Sequence, residues 1–236
     1  MSRIPSFSYI KDKIRQHKTI SILFLLSTVF FIWQHTTGIS WDFTSYVLNA
    51  KYMFSNGLYF EWYRAPLMPF LIGILSVFGW KAAEYLSIIV ISSIYLFSCM
   101  KFSQKFKIDQ TIFYAISLTP FFLIASFTVG TELLSLSLLM LSFAYFDSTI
   151  SGLFMGLTFL TRSTNLIFLP LLFIKKDYKK IAFSILLFIL PIIPWLLFNY
   201  YHTGNMFTNL MDGYASQIKF RSYMKMPFNI FHVLMA

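Results

Sequence analysis

Two short stretches of the chain place carboxylates and an arginine beside an almost uncharged, strongly apolar segment. Asp42 follows that first apolar segment directly, and Glu61 and Arg64 come later in the same loop, just before Pro66. Only 12% of the 236 residues are charged, whereas 57% are hydrophobic. Ionisable side chains near hydrocarbon are costly to keep, so carboxylates at a membrane edge indicate function. We therefore expect chemistry at Asp42.

The composition predicts the class of protein that must position these residues. The mean hydropathy is +0.67, and 20% of the residues are aromatic. A soluble domain of this size needs more polar surface, so we expect an all-α, polytopic transmembrane helical bundle. The single Cys99 lies in an apolar run, which excludes a disulfide framework and a CxxC metal site.

The net charge of +10 does not indicate nucleic acid, because the basic residues cluster between apolar runs instead of lining one amphipathic face. This distribution is typical of cytoplasmic loops in membrane proteins. We therefore expect a multi-pass protein with a cytoplasmic N-terminus, in a prokaryotic plasma membrane, and no nucleic-acid partner. The clusters are Arg3, Lys11, Lys13, Arg15 and Lys18; Lys101, Lys105 and Lys107; and Lys175, Lys176, Lys179 and Lys180.

Charge-free stretches of roughly 20 residues set the membrane spans. The charge rule decides two ambiguous stretches. Residues 65–80 are interpreted as an interfacial or re-entrant helix, and residues 151–174 as two short arms that break near Arg162. Either stretch, read as one crossing, would put the next lysine cluster outside. The prediction is about seven membrane segments: residues 19–37, 82–100, 111–127, 133–146, the two arms of 151–174, and 181–198.

With this topology the isolated charges share one membrane face, although they come from separate segments. Residues 42–54 are amphipathic at helical spacing and predict an interfacial helix in the first external loop. Both signs of charge at one bilayer edge suit a reaction on a lipid-linked phosphate, since cations can hold the phosphate while a carboxylate activates an acceptor. The charges are Asp42, Glu61, Arg64, Glu84, Glu132 and Arg162.

Several motifs, in order along residues 20–205, resemble the GT-C class of integral membrane glycosyltransferases. The resemblance is strongest to the group of protein O-mannosyltransferases and aminoarabinose transferases. The motifs are Trp41-Asp42-x-x-x-Tyr46 after the first span, Tyr63-Arg64-Ala65-Pro66 before an apolar helix, Thr131-Glu132 opening a span, Gly152-x-x-x-Gly156 running to Arg162 and Pro170, and Pro194-Trp195 through Asn199-Tyr200 to Gly204.

The resemblance implies an inverting enzyme that transfers a sugar from a polyprenyl-phosphate-linked donor to a protein, lipid or glycan acceptor, within membrane lipid. Asp42 would be the catalytic residue, Arg64 and Arg162 would bind the donor phosphate, and Glu132, with Glu61, would be a supporting acid. The family often carries Asp-Glu where this chain has Asp42-Phe43. A divalent cation is therefore neither required nor excluded, and the metal site is unknown.

Relatives in that group are much longer than this chain. We therefore expect residues 1–236 to be a single transmembrane GT-C-like domain that lacks the usual C-terminal part. Two other functions remain open. One is a membrane transporter or lipid-carrier flippase, and the other is a non-catalytic truncated remnant.

The candidate residues also have structural interpretations. Asp42 and Glu132 could cap their helices. Arg64 could be an interfacial anchor, and Glu61 could be merely solvated. The GxxxG pair, Gly152 with its partner four residues on, is more typical of close helix packing than of ligand binding.

Overall fold

The computed structural model describes residues 7–119, 123–124, 130–175 and 177–223, with most side chains described from Lys18 onward. This described part is helical and contains no β-strand, which confirms the all-α prediction. It also contains the 3₁₀ segments Ser76–Phe78 and Ser163–Ile174. The α-helices are α1 (Phe7–Thr37), α2 (Trp41–Phe54), α3 (Leu67–Leu75), α4 (Trp80–Phe106), α5 (Gln110–Ser117), α6 (Glu132–Ala144), α7 (Ile150–Thr161), α8 (Tyr178–Ile189), α9 (Ile192–Thr203) and α10 (Thr208–Tyr223).

Three helical stretches in the described part of the chain are long and apolar enough to cross a membrane. They are Lys18–Thr37, Trp80–Phe106 and Tyr178–Thr203, the last formed by α8 and α9 with a turn between them. The predicted span at residues 111–127 falls partly outside the described residues. The helix α6 and both arms of the 151–174 stretch are shorter, at 12 or 13 residues.

The helices run between two chemically different ends. At one end, His35 of α1 lies 3.1 Å from Glu84 of α4, and its ring packs against Phe43 at the start of α2. At the opposite end of α4, Lys105 pairs with Asp147, which follows α6. We call the first the acidic end and the second the lysine end.

The stretch from residue 150 to residue 175 is a broken hairpin, as the charge rule predicts. The helix α7 ends at Thr161, and Arg162 is extended with φ −151° and ψ 118°. The 3₁₀ segment then returns, because Lys175 at its end donates a 2.7 Å hydrogen bond to Ser151 at the beginning of α7. The break thus places Arg162 at one end of the bundle and Lys175 at the other.

The GxxxG pair of α7 lets the backbones of α7 and α8 come close together. A Cβ atom on Gly152 would lie 1.9 Å from the carbonyl oxygen of Ser184, and one on Gly156 would lie 2.3 Å from that of Phe188. Both obstacles are backbone atoms, which cannot rotate away. The packing interpretation of the pair is therefore confirmed.

We expect Gly152→Ala to lower the free energy of unfolding by about 1–3 kcal/mol, because the two helices must move apart to admit the methyl group. Thermal unfolding of the purified protein in detergent measures this loss. The matched control is Gly213→Ala in α10, where a Cβ would have no atom within 4 Å. Equal melting temperatures for the two variants would contradict the close approach.

Candidate active site

Asp42 lies in the first turn of α2, and α2 holds it at the acidic end. The residue that caps this helix is Ser40, whose hydroxyl accepts a 3.2 Å hydrogen bond from the backbone N–H of Phe43. Phe43 and Ala50 are buried, so α2 is fixed against the bundle. The capping interpretation of Asp42 is therefore wrong, although a carboxylate in the first turn still favours the helix. Its side chain remains 36% exposed.

Arg64 forms ion pairs with two carboxylates. Its guanidinium contacts Asp42, and its Nε donates a 2.7 Å hydrogen bond to Glu61. The guanidinium also lies 5.3 Å from the ring centre of Tyr46 and 5.0 Å from that of Tyr63. Burial lowers the pKa of Arg64, but its contacts with Glu61 and Asp42 outweigh burial and raise that pKa above its usual value. With 11% of its side chain exposed, Arg64 is an internal ion-pair residue and not a surface anchor.

Glu61 is buried, so the expectation that it is merely solvated is wrong. Besides the bond from Arg64, its carboxylate accepts a 2.6 Å hydrogen bond from the hydroxyl of Tyr59. Asn49 of α2 fixes its backbone reciprocally, donating to the Glu61 carbonyl at 3.1 Å and accepting from the Glu61 N–H at 2.8 Å. Burial raises the pKa of Glu61, but hydrogen bonds from Arg64, Tyr59 and Tyr63 outweigh burial and hold this pKa below its usual value of 4.5.

This depressed pKa predicts how stability depends on pH. Because Glu61 binds its proton less readily when folded than when unfolded, its contribution is complete above pH 4.5 and disappears as the pH falls through the folded pKa. We expect the melting temperature of the wild type to fall more steeply below pH 4.5 than that of Glu61→Gln. Melting curves from pH 6 to pH 3 test this, and parallel curves would contradict it.

Glu132 and Arg162 form the second ion pair of the site. Glu132 opens α6, and its Oε1 accepts a 2.6 Å hydrogen bond from Nη1 of Arg162. Its other oxygen accepts a 3.2 Å hydrogen bond from the backbone N–H of Thr131. Glu132 therefore pairs with Arg162 and also contacts the backbone at the beginning of its own helix. Asn165 holds the turn after Arg162 by donating to Ser135 at 2.7 Å. Arg162 is 34% exposed and Glu132 22% exposed.

Tyr46 connects the two ion-paired groups. Its side chain lies close to Thr131, the neighbour of Glu132 in the chain, and its ring faces the guanidinium of Arg64. The structure thus brings all five predicted site residues to the acidic end, although they come from four different segments. Asp42 and Arg162 keep the largest exposed fractions of the five, so each group presents one reactive charge to solvent.

Some residues that hold the site were not predicted from the sequence. Asn209 of α10 donates hydrogen bonds to the carbonyls of Trp62 at 2.7 Å and Arg64 at 2.9 Å, which ties α10 to the loop that carries Glu61 and Arg64. Asn49 clamps Glu61 in a similar way. The only sequence signal for Asn49 is a polar residue within the amphipathic stretch 42–54, and Asn209 has none. His35, which belongs to none of the motifs, pairs with Glu84.

In the part of the chain that the structure describes, His, Cys, Asp and Glu side chains form no group of three or more that could hold a metal ion. The pairs of acids that do occur, such as Asp42 with Glu61, are joined by arginine. No protein-family model, no curated protein and no solved structure matches this chain. The site must therefore be interpreted from its own chemistry.

Proposed function

We propose that this protein is a membrane glycosyltransferase that transfers a sugar, with inversion, from a polyprenyl-phosphate-linked donor to an acceptor at the acidic end. The observation that supports this most is that a partly exposed carboxylate, Asp42, and a partly exposed guanidinium, Arg162, lie at the same end of the bundle, each held by a partner of opposite charge. Transfer from a lipid phosphate needs a base for the acceptor and a cation for the departing phosphate. The acidic end offers both.

In the proposed reaction, the oxygen of the acceptor hydroxyl attacks the anomeric carbon of the sugar. The carboxylate of Asp42 accepts the proton of that hydroxyl during the attack. The bond between that carbon and the phosphate oxygen breaks, and the electron pair leaves with polyprenyl phosphate. Attack from the face opposite the phosphate inverts the configuration of the sugar. Negative charge develops on the departing phosphate, and a guanidinium can stabilise it with paired hydrogen bonds.

The two arginines have different roles in this proposal, which refines the expectation that both bind the phosphate. Arg162 has one carboxylate partner and about a third of its side chain exposed, so it can accept the donor phosphate. Arg64 is engaged by Asp42 and Glu61 and stacked on Tyr46. We assign Arg64 to positioning: it orients the carboxylate of Asp42. The supporting acids each hold one arginine: Glu61 holds Arg64, and Glu132 holds Arg162.

We further propose that the chain crosses the membrane several times, with the acidic end external and the lysine end cytoplasmic. The three long apolar stretches support membrane insertion. Their charged residues lie near the ends of the stretches and not at their centres. A flippase path for a charged lipid carrier would instead place ionisable groups near the middle of the spans. This distribution favours chemistry at one face over translocation.

Donor binding tests the proposal. Purified protein in nanodiscs is mixed with radiolabelled polyprenyl-phosphate hexoses and pentoses, and the retained label is counted after washing. We expect at least one of these donors to be retained, and excess unlabelled polyprenyl phosphate to displace it. If none of the lipid-linked sugars is retained by folded protein, the proposed function is lost.

A further inference from the structure

The lysine end contains a pocket that the proposed reaction does not use. It has a volume of about 310 Å³ and lies between the turn after α6, the end of the 3₁₀ segment and the start of α8. The helix α6 is 13 residues long, so this pocket is roughly 20 Å from Glu132 at the acidic end. Its lining residues are Phe146, Asp147, Ile174, Lys175, Asp177 and Lys180.

The wall of this pocket carries a buried ammonium group that is held by neutral oxygens and lies 5.7 Å from the ring centre of Phe146. Lys175 donates to the carbonyl of Ser148 at 3.0 Å and to the hydroxyls of Ser151 at 2.7 Å and Ser184 at 2.6 Å. Among the described residues no carboxylate lies within ion-pair distance of it. Burial therefore lowers the pKa of Lys175. No direct ion pair neutralises its positive charge, although its three N–H donors are all used by the serine oxygens.

The acids around the pocket are already engaged. The carboxylate of Asp147 pairs with Lys105, and Asp177 caps α8 by accepting a 2.9 Å hydrogen bond from the backbone N–H of Lys179. Among the residues that the structure describes, Lys180 donates one long hydrogen bond, 3.4 Å to the carbonyl of Asp147, so its ammonium retains donors for a ligand. Three ammonium groups at the pocket, those of Lys105, Lys175 and Lys180, exceed its two carboxylates by one positive charge. Lys180 also retains donors, and this combination is the chemistry that binds a phosphate group.

Apolar surface beside these charges indicates where the phosphate comes from. Ile174 in the lining is 65% exposed, and Phe173 and Tyr178, each adjacent in sequence to a lining residue, are 55% and 87% exposed. Exposed aromatic and aliphatic side chains next to a basic pocket match a phospholipid, whose acyl chains contact apolar side chains while its headgroup contacts the lysines. A free phosphate ion would make no favourable contact with these apolar side chains.

We propose that this pocket binds the headgroup of an anionic phospholipid, with Lys180 as the contacting residue and Lys175 as a fixed buried charge behind it. The site is separate from the glycosyltransferase site and does not depend on that activity. Anionic lipids are concentrated in the cytoplasmic leaflet, which is the side to which the lysine clusters assign this end.

Native mass spectrometry of the full-length protein, with phosphatidylglycerol or phosphatidylcholine added at equal concentration, tests the proposal. We expect phosphatidylglycerol to be retained preferentially. We expect Lys180→Gln to weaken that retention about fivefold, since one lysine near the surface contributes on that order. The control is Lys81→Gln, an exposed lysine at the acidic end, which should bind like the wild type. Lys180 is chosen over Lys175 because its removal leaves the buried serine contacts intact.

Three results would overturn this inference. One is equal retention of the two lipids, and another is equal retention by Lys180→Gln and the wild type. The third is displacement of phosphatidylglycerol by inorganic phosphate at millimolar concentration, which would assign the pocket to the free ion. Loss of lipid retention in Lys180→Gln with unchanged sugar-donor binding would support the site and separate it from the proposed function.

Discussion

Asp42→Asn is expected to slow sugar transfer by about 10²–10⁴-fold, which is the usual contribution of a general base. Asparagine has nearly the same shape as aspartate but cannot accept the proton of the acceptor hydroxyl. Ser40, and not Asp42, caps α2, so the helix should remain folded in the variant. The measurement is the initial rate of label transfer from a polyprenyl-phosphate sugar in reconstituted membranes, alongside donor binding, which we expect to stay near the wild-type level.

The matched control for this variant is Asp109→Asn. Asp109 caps α5 by accepting a 2.9 Å hydrogen bond from the backbone N–H of Ile112, and asparagine caps equally well. This control makes the same aspartate-to-asparagine change at a residue just after α4, on the side of the lysine end and away from Asp42. Equal transfer by the wild type, Asp109→Asn and Asp42→Asn would remove Asp42 from the chemistry.

Arg162→Gln is expected to weaken donor binding by about 10- to 100-fold, since a hydrogen bond to a charged group contributes on that scale. The variant also leaves the carboxylate of Glu132 without its partner, which by itself lowers stability. Retention of labelled donor at increasing concentration gives the change in affinity. Melting temperature gives the structural effect independently.

A double variant separates these two effects. Glu132→Gln/Arg162→Gln removes the orphaned carboxylate along with the guanidinium, so we expect stability to recover while donor affinity stays low. If donor affinity recovers together with stability, Arg162 is only a structural partner of Glu132. The assignment of Arg162 to the phosphate would then be wrong.

The features that could be predicted from the sequence depend on local pattern or on charge. The amphipathic spacing of residues 42–54 predicts α2 because one buried face needs a helical repeat. The break at Arg162 follows from keeping both lysine clusters on one side, and the structure places Arg162 and Lys175 at opposite ends. The same charge rule sets the predicted topology, and that topology brings the isolated acids and arginines to one end of the bundle.

The features that could not be predicted depend on contacts between distant segments. The burial of Glu61 requires Asn49 and Tyr59 to fold around it. Lys175 belongs to a sequence cluster that is typical of a solvated loop, yet its ammonium is buried because three polar oxygens from α7, α8 and the turn before α7 converge on it. Charge spacing alone does not show which lysine of a cluster turns inward.

The most direct test of the central claim follows the label from the lipid donor to product with the wild-type protein and Asp42→Asn in parallel. We expect wild-type membranes to release polyprenyl phosphate and to form a glycoside with the opposite anomeric configuration, and the variant to do so at least a hundredfold more slowly. Label that stays on the lipid in both samples, with both proteins folded, would contradict it.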